Sequence, residues 1–122
     1  MPRLNVMGEL REILESALDG VPVQVDLPAE RPGTVVVVRR CGGARQDPLI
    51  DSPQVEALMW APTEAEAEEL AELVGDVMSH LPFARGFCAC EELEMRTDYD
   101  YLARSPRWYA LYRLKTYQPK EG

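Results

Sequence analysis

Thr34 to Arg45 reads TVVVVRRCGGAR, and this stretch constrains the fold more than any other. Four consecutive valines are stiff at χ1 and suit a pleated surface, so a strand is expected over 34–40. Valines at odd and even positions require cover on both faces, at least in part. Arg39 and Arg40 end the run, and Gly42-Gly43 follow. Paired glycines reach positive φ at little steric cost, so the chain can turn sharply there. The stretch predicts a central strand that carries two cations to one edge of a small sheet, followed by a flexible loop.

A length of 122 residues fits one domain spanning 1–122, and a hydrophobic fraction of 46% is enough for one core. No apolar run approaches the roughly 18 residues of a membrane span. The N-terminus, MPRLNVMGELREIL, is amphipathic and lacks the continuous apolar stretch of a secretory signal. Thirteen basic residues against twenty-one acidic ones give a net charge of −8. That argues against broad electrostatic binding to nucleic acid, which needs a basic face. Cys41, Cys88 and Cys90 are an odd count with no disulfide framework, so a reducing compartment is expected.

The remaining elements follow from periodicity. Residues 5–19 predict a helix, with Met7, Leu10, Ile13, Leu14, Ala17 and Leu18 on one stripe, Asn5 as its cap and Gly20 as its stop. Val21 to Leu27 alternates as a half-buried strand, with Pro22 near its start, and Pro28 to Gly33 is a turn. Residues 41–54 are expected to be a long loop, functional or a disordered hairpin tip. Val55 to Ala61 predicts a third strand. Thr63 and Glu66 form a capping box for a second helix, whose stripe is Ala67, Leu70, Ala71, Val74, Val77, Met78 and Leu81, and which Pro82 ends. Gly75 inside that helix costs roughly 1 kcal/mol relative to alanine and suggests close approach of a neighbouring backbone. Gly86 to Met95 is a fourth strand with a bulge near Glu91-Glu92. Residues 96–104 form a polar loop bearing Tyr99 and Tyr101. Ser105 to Tyr117 is the last strand, and 118–122 is a frayed tail. The fold class is α+β: a single mixed or antiparallel sheet of about five strands, packed on one face by two helices, in the order helix-strand-strand-strand-helix-strand-strand.

Chemistry is sparse in this sequence. His80, the only histidine, sits in a helix's last turn, where a cation suits the dipole. Cys88 and Cys90 point to one face of a strand and read as a buried pair of small hydrophobes. A metal site would need two more ligands, and only Cys41 and His80 remain. No nucleophile elbow, phosphate loop or metalloprotease motif is present, so no catalytic residue, cofactor or metal is assigned. The glutamate-rich face of the second helix is a solvated face or a surface for a metal or partner. Arg39, Arg40 and Arg45 flank the loop. They either pair with carboxylates of a neighbouring subunit or guard a strand end against edge aggregation.

RPGTVVVVRRCGG, a loop ending in DSP, VEALMWAPTEAEAEELAELV, and PRWYALYRLKTY near the end together resemble the tail terminator (tail-completion) proteins of long-tailed bacteriophages and their prophages. The resemblance runs over roughly residues 1–118 and is densest from Arg31 to Glu69. It departs at CACEELEMRTDYDY, where a more apolar strand and a Gly-Pro-type turn are expected. The resemblance implies a non-enzymatic virion protein, assembled in the host cytoplasm and located at the junction of tail and neck. It implies a homohexameric ring that caps the tail tube, ends tube polymerisation and docks the head-side connector. DNA would pass through the ring without sequence-specific binding, and no membrane is involved. The alternatives are a head–tail stopper or adaptor at the neck, or a small cytosolic protein-binding module. The expected subunit or partner interface comprises Arg39, Arg40, Gly42, Gly43, Arg45, Asp51, Tyr99 and Tyr101, with loops 41–54 and 96–104 as arms that order against neighbours.

Overall fold

The computed structural model describes residues 5–26, 33–45 and 50–117, with the backbone alone at 44 and 45. The elements are α1 (Val6–Ala17), β1 (Val23–Gln24), β2 (Val35–Arg45), β3 (Ile50–Trp60), α2 (Glu64–Ser79), a 3-10 turn (Phe83–Arg85), β4 (Phe87–Thr97) and β5 (Arg107–Tyr117). Five strands form one sheet in the order β1-β2-β3-β5-β4. β1 runs parallel to β2, and every other pair is antiparallel, so the sheet is mixed.

The valine run behaves as its composition requires. Val35 to Val38 are all buried, with alternate residues on opposite faces. Val36 and Val38 join Val55, Ala57, Met59, Ala110, Tyr112 and Leu114 under α1 and α2, which contribute Leu10, Leu14, Leu70, Ala71, Val74 and Met78. Val35 and Val37 meet Leu58 and Trp60 on the other face, in a smaller cluster edged by Tyr109.

Both helix starts follow from their caps. The Asn5 side chain accepts from the Gly8 amide at 3.0 Å. Thr63 Oγ1 accepts from the Glu66 amide at 3.2 Å, and its hydroxyl donates to Glu66 Oε2 at 3.1 Å. The glutamate thus meets the threonine hydroxyl rather than the Thr63 amide. α1 stops at Ala17, and Gly20 takes a φ of +85° just beyond it. Among the described residues no helix is long and apolar enough to cross a membrane.

Several expectations need correction. The strand over Val21–Leu27 is reduced to the two residues of β1. Pro22 offers no amide but accepts from Val36 N at 3.0 Å, and the chain bends at Val25, which is exposed. Leu27, the turn up to Pro32, residues 46–49 and the tail at 118–122 lie outside the described residues. The loop expected over 41–54 is largely sheet. β2 runs through the glycines to Arg45, and β3 begins at Ile50. A register shift at Cys41 absorbs one residue and lets Gly42 face Gln54 and Gly43 face Pro53. β4 bulges between Glu92 and Glu94, next to the expected place, and again between Phe87 and Ala89. The second bulge throws Cys88 outward, so Cys88 is exposed while Cys90 is half-buried, and the two are not a buried pair. Burial and then Glu92 push the Cys90 thiol up to about 11, which keeps it protonated near neutrality.

Candidate functional site

The expected interface residues fall at opposite ends of the sheet. One group lies on β2 and the first residues of β3, at the sheet end where Asp51 also faces Thr116 of β5. Arg39 stands opposite Glu56 and pairs with it. Arg40 makes a bidentate pair with Asp51, at 3.0 and 3.1 Å, and its Nε donates to the Gly42 carbonyl at 3.4 Å. The backbone of Arg45 is registered against Asp51. Each described guanidinium of this group therefore has a carboxylate partner within its own chain. Gly43 has a φ of +96° and lies so close to β3 that a Cβ would collide with the Ser52 carbonyl.

The second group lies at the β4–β5 turn. Tyr99 and Tyr101 pack edge to face, with centroids 4.9 Å apart. Nine residue steps along β3 lead from Asp51 to Trp60, which sets the two groups about 30 Å apart at strand rise. The structure does not bring them into one site.

The turn is not a slack arm. Asp100 is buried and accepts from Trp60 Nε1 at 2.9 Å through Oδ2. Its Oδ1 accepts from the amides of Leu102 and Ala103, both at 3.1 Å. Asp100 and Ser105 exchange backbone hydrogen bonds at 3.0 and 3.1 Å. Arg107 pairs with Asp98 at 3.1 Å, reaches Asp100 at 3.7 Å and lies over the Trp60 ring at 5.4 Å. These contacts hold residues 101–104 out as a rigid tip. Tyr101 is 83% exposed and Leu102 99%. Arg104 adopts a φ of +52°, unusual for a residue with a Cβ.

Between α2 and the β4–β5 pair lies a cleft of about 530 Å³, whose lining includes Glu68, Glu72, Asp76, Glu92, Met95 and Trp108. Gly75 sits in its wall. A Cβ on Gly75 would meet Glu92 Oε1 at 3.6 Å, Met95 Cε at 3.7 Å and the Tyr112 hydroxyl at 3.9 Å. Side chains, not the expected backbone, approach this glycine. The Trp108 indole nitrogen and the Tyr112 hydroxyl are buried without a hydrogen-bond partner among the described residues. Burial, then the charge of Glu92, raises the Tyr112 phenol far above its ordinary value, so the group is a neutral donor.

Asp100 and the cleft were not singled out by sequence reasoning. A signal for the cleft existed in the spacing of Glu68, Glu72 and Asp76. Like charges four apart share a helix face and cost a few tenths of a kcal/mol per pair, so the pattern opposes helix stability. His80 caps the end of α2, exposed, with Nδ1 2.9 Å from the Asp76 carbonyl. Among the described residues no three His, Cys, Asp or Glu side chains are arranged to hold a metal ion.

No family profile and no curated protein matches the chain. Among solved structures, the fold is similar to that of a chain in the virion of a native gene transfer agent particle. The TM-score is 0.65 at 16% identity, over 92% of this chain and 91% of that one.

Proposed function

We propose that this chain is a structural, non-enzymatic subunit of a phage-like virion: a tail terminator that caps the tail tube as a homohexameric ring and docks the head-side connector. The observation that carries this reading is the likeness in fold, over nearly the whole of both chains, to a component of a gene transfer agent virion. The resemblance of residues 31–69 to tail terminators supports the narrower role. A hydrogen-bonded β4–β5 turn and the paired ends of β2 and β3, at opposite ends of the sheet, suit a subunit with different neighbours on its two sides. Electron microscopy of the purified protein, alone and with tail tubes, tests this. Six-fold rings seated on tube ends are the expected result. A persistent monomer, or density on the portal side instead of at the tube end, would overturn the terminator role.

A further inference from the structure

The cleft beside α2 combines two features that do not satisfy each other. Four carboxylates line it, and none of Glu68, Glu72, Asp76 and Glu92 is in an ion pair with a described residue. Beneath them, two buried groups lack partners: the hydroxyl of Tyr112, which is 1% exposed, and the indole N–H of Trp108. A buried donor without an acceptor is destabilising, and native folds seldom retain one without a use. The Tyr112 hydroxyl lies close behind that lining: a Cβ on Gly75 would meet it at 3.9 Å, beside Glu92 Oε1 and Met95 Cε. An occupant matched to the cleft offers a cation to the carboxylates and an acceptor to the Trp108 indole, which belongs to the lining. A bare metal ion does not fit, because no three described ligand side chains converge. A basic side chain carried on a turn, with its backbone carbonyls, does.

The chain itself displays such a turn. Residues 101–104, Tyr-Leu-Ala-Arg, project from the sheet end. Arg104 is exposed and, unlike most of the described arginines, has no ion pair with a described residue. Its left-handed backbone holds an uncommon conformation that no ion pair of its guanidinium with a described residue offsets. Asp100 fixes the turn in advance, which reduces the ordering cost of docking. Leu102, 99% exposed, supplies apolar surface to set against Met95 and Trp108.

We infer that the cleft between α2 and β4–β5 receives the 101–104 turn of a second copy of this chain, with Arg104 among Glu68, Glu72, Asp76 and Glu92. Turn and cleft are different surfaces, so the contact is head-to-tail and propagates from copy to copy. It deepens the ring reading and rests on it for the closing of the chain of contacts.

The test uses the full chain, with Arg104→Glu and Glu72→Arg, followed by sedimentation velocity and mass photometry. Both positions are exposed, so thermal melts should match the wild type; Asp76→Arg is the second cleft variant if Glu72→Arg melts early. Each variant alone places like charges in every contact and should associate at least tenfold more weakly than the wild type. An equimolar mixture should recover assembly, because a glutamate turn then meets an arginine cleft and an arginine turn meets an acidic one in alternation. If either variant assembles like the wild type, or the mixture recovers nothing, the contact is wrong while the ring reading stands. A recovered mixture that forms open chains and never a ring keeps the contact and overturns the ring. A wild type that stays monomeric overturns both.

Discussion

Gly42 and Gly43 look equivalent as letters, but only one of them is irreplaceable. At Gly42 the nearest atom to a new Cβ is Gln54 Oε1 at 4.0 Å, the end of a flexible side chain. At Gly43 the new atom would strike the Ser52 carbonyl and lie 2.7 Å from Pro53 Cα, and the φ of +96° is one that L side chains avoid. Gly43→Ala should therefore cost about 1–3 kcal/mol from the backbone conformation, with more added as β2 and β3 separate. Gly42→Ala should stay within roughly 0.5 kcal/mol of the wild type. Urea unfolding of the two variants side by side checks this. Equal costs would mean that the pair acts only as a flexible joint. The sequence shows that the chain has conformational freedom here. The register, shifted at Cys41, decides which glycine uses it.

The β4–β5 turn shows how one carboxylate organises an element. Asp100→Ala would strip the acceptor from the Trp60 indole and from the Leu102 and Ala103 amides, and would take one of two carboxylates from Arg107. Removing one partner from a buried polar cluster costs about 3–5 kcal/mol at its strongest, and a figure of roughly 2–4 kcal/mol suits this half-exposed network. Hydrogen exchange should localise the effect, with the 102 and 103 amides losing protection before the central strands do. Unchanged protection there would show that the turn is held by something else. The same element marks where sequence reading stops. Helices, strands and their order are largely legible because most carry a pattern that burial enforces: a period of 3.6 in α2, a period of two in β5, and an apolar run covered on both faces in β3. The polar stretch at 96–104 has no period, so its order depends on a bond between residues 60 and 100 that no local pattern encodes. For the same reason 41–54 reads as a loop. Glycines and prolines hide the ladder there: Gly42 to Arg45 pair with Gln54 to Asp51 inside the same stretch, and Ile50 and Asp51 also join Tyr117 and Thr116 of β5. The cleft lies between the two cases, since the acidic spacing on α2 is visible while the orphan hydroxyl facing it is not.

A net charge of −8 acts on the chain as a whole, and the placement of its cations decides what that charge does. Arg39, Arg40, Arg85, Arg96, Arg107 and Arg113 are each tied to a carboxylate of the same chain. Among the described side chains, only Arg104 and Lys115 are basic without an ion pair, and they do not make a basic face. Individually these exposed surface pairs contribute little, because solvent and salt screen them. Together they cancel local positive potential, so a phosphate backbone would meet no basic face among the described side chains. Like-charged copies also repel one another, which favours assembly through a few complementary contacts rather than through a broad charged face. The consequence is measurable without any assembly partner. Labelled duplex DNA should show no rise in fluorescence anisotropy up to about 50 μM protein, even at low salt, where non-specific binders with micromolar affinity become tighter still. A rise that faded as salt was added would reveal counterion release at a basic surface. A ring built from this chain would then grip the DNA it encircles, and its channel would brake the passage of DNA that the terminator role requires to run freely.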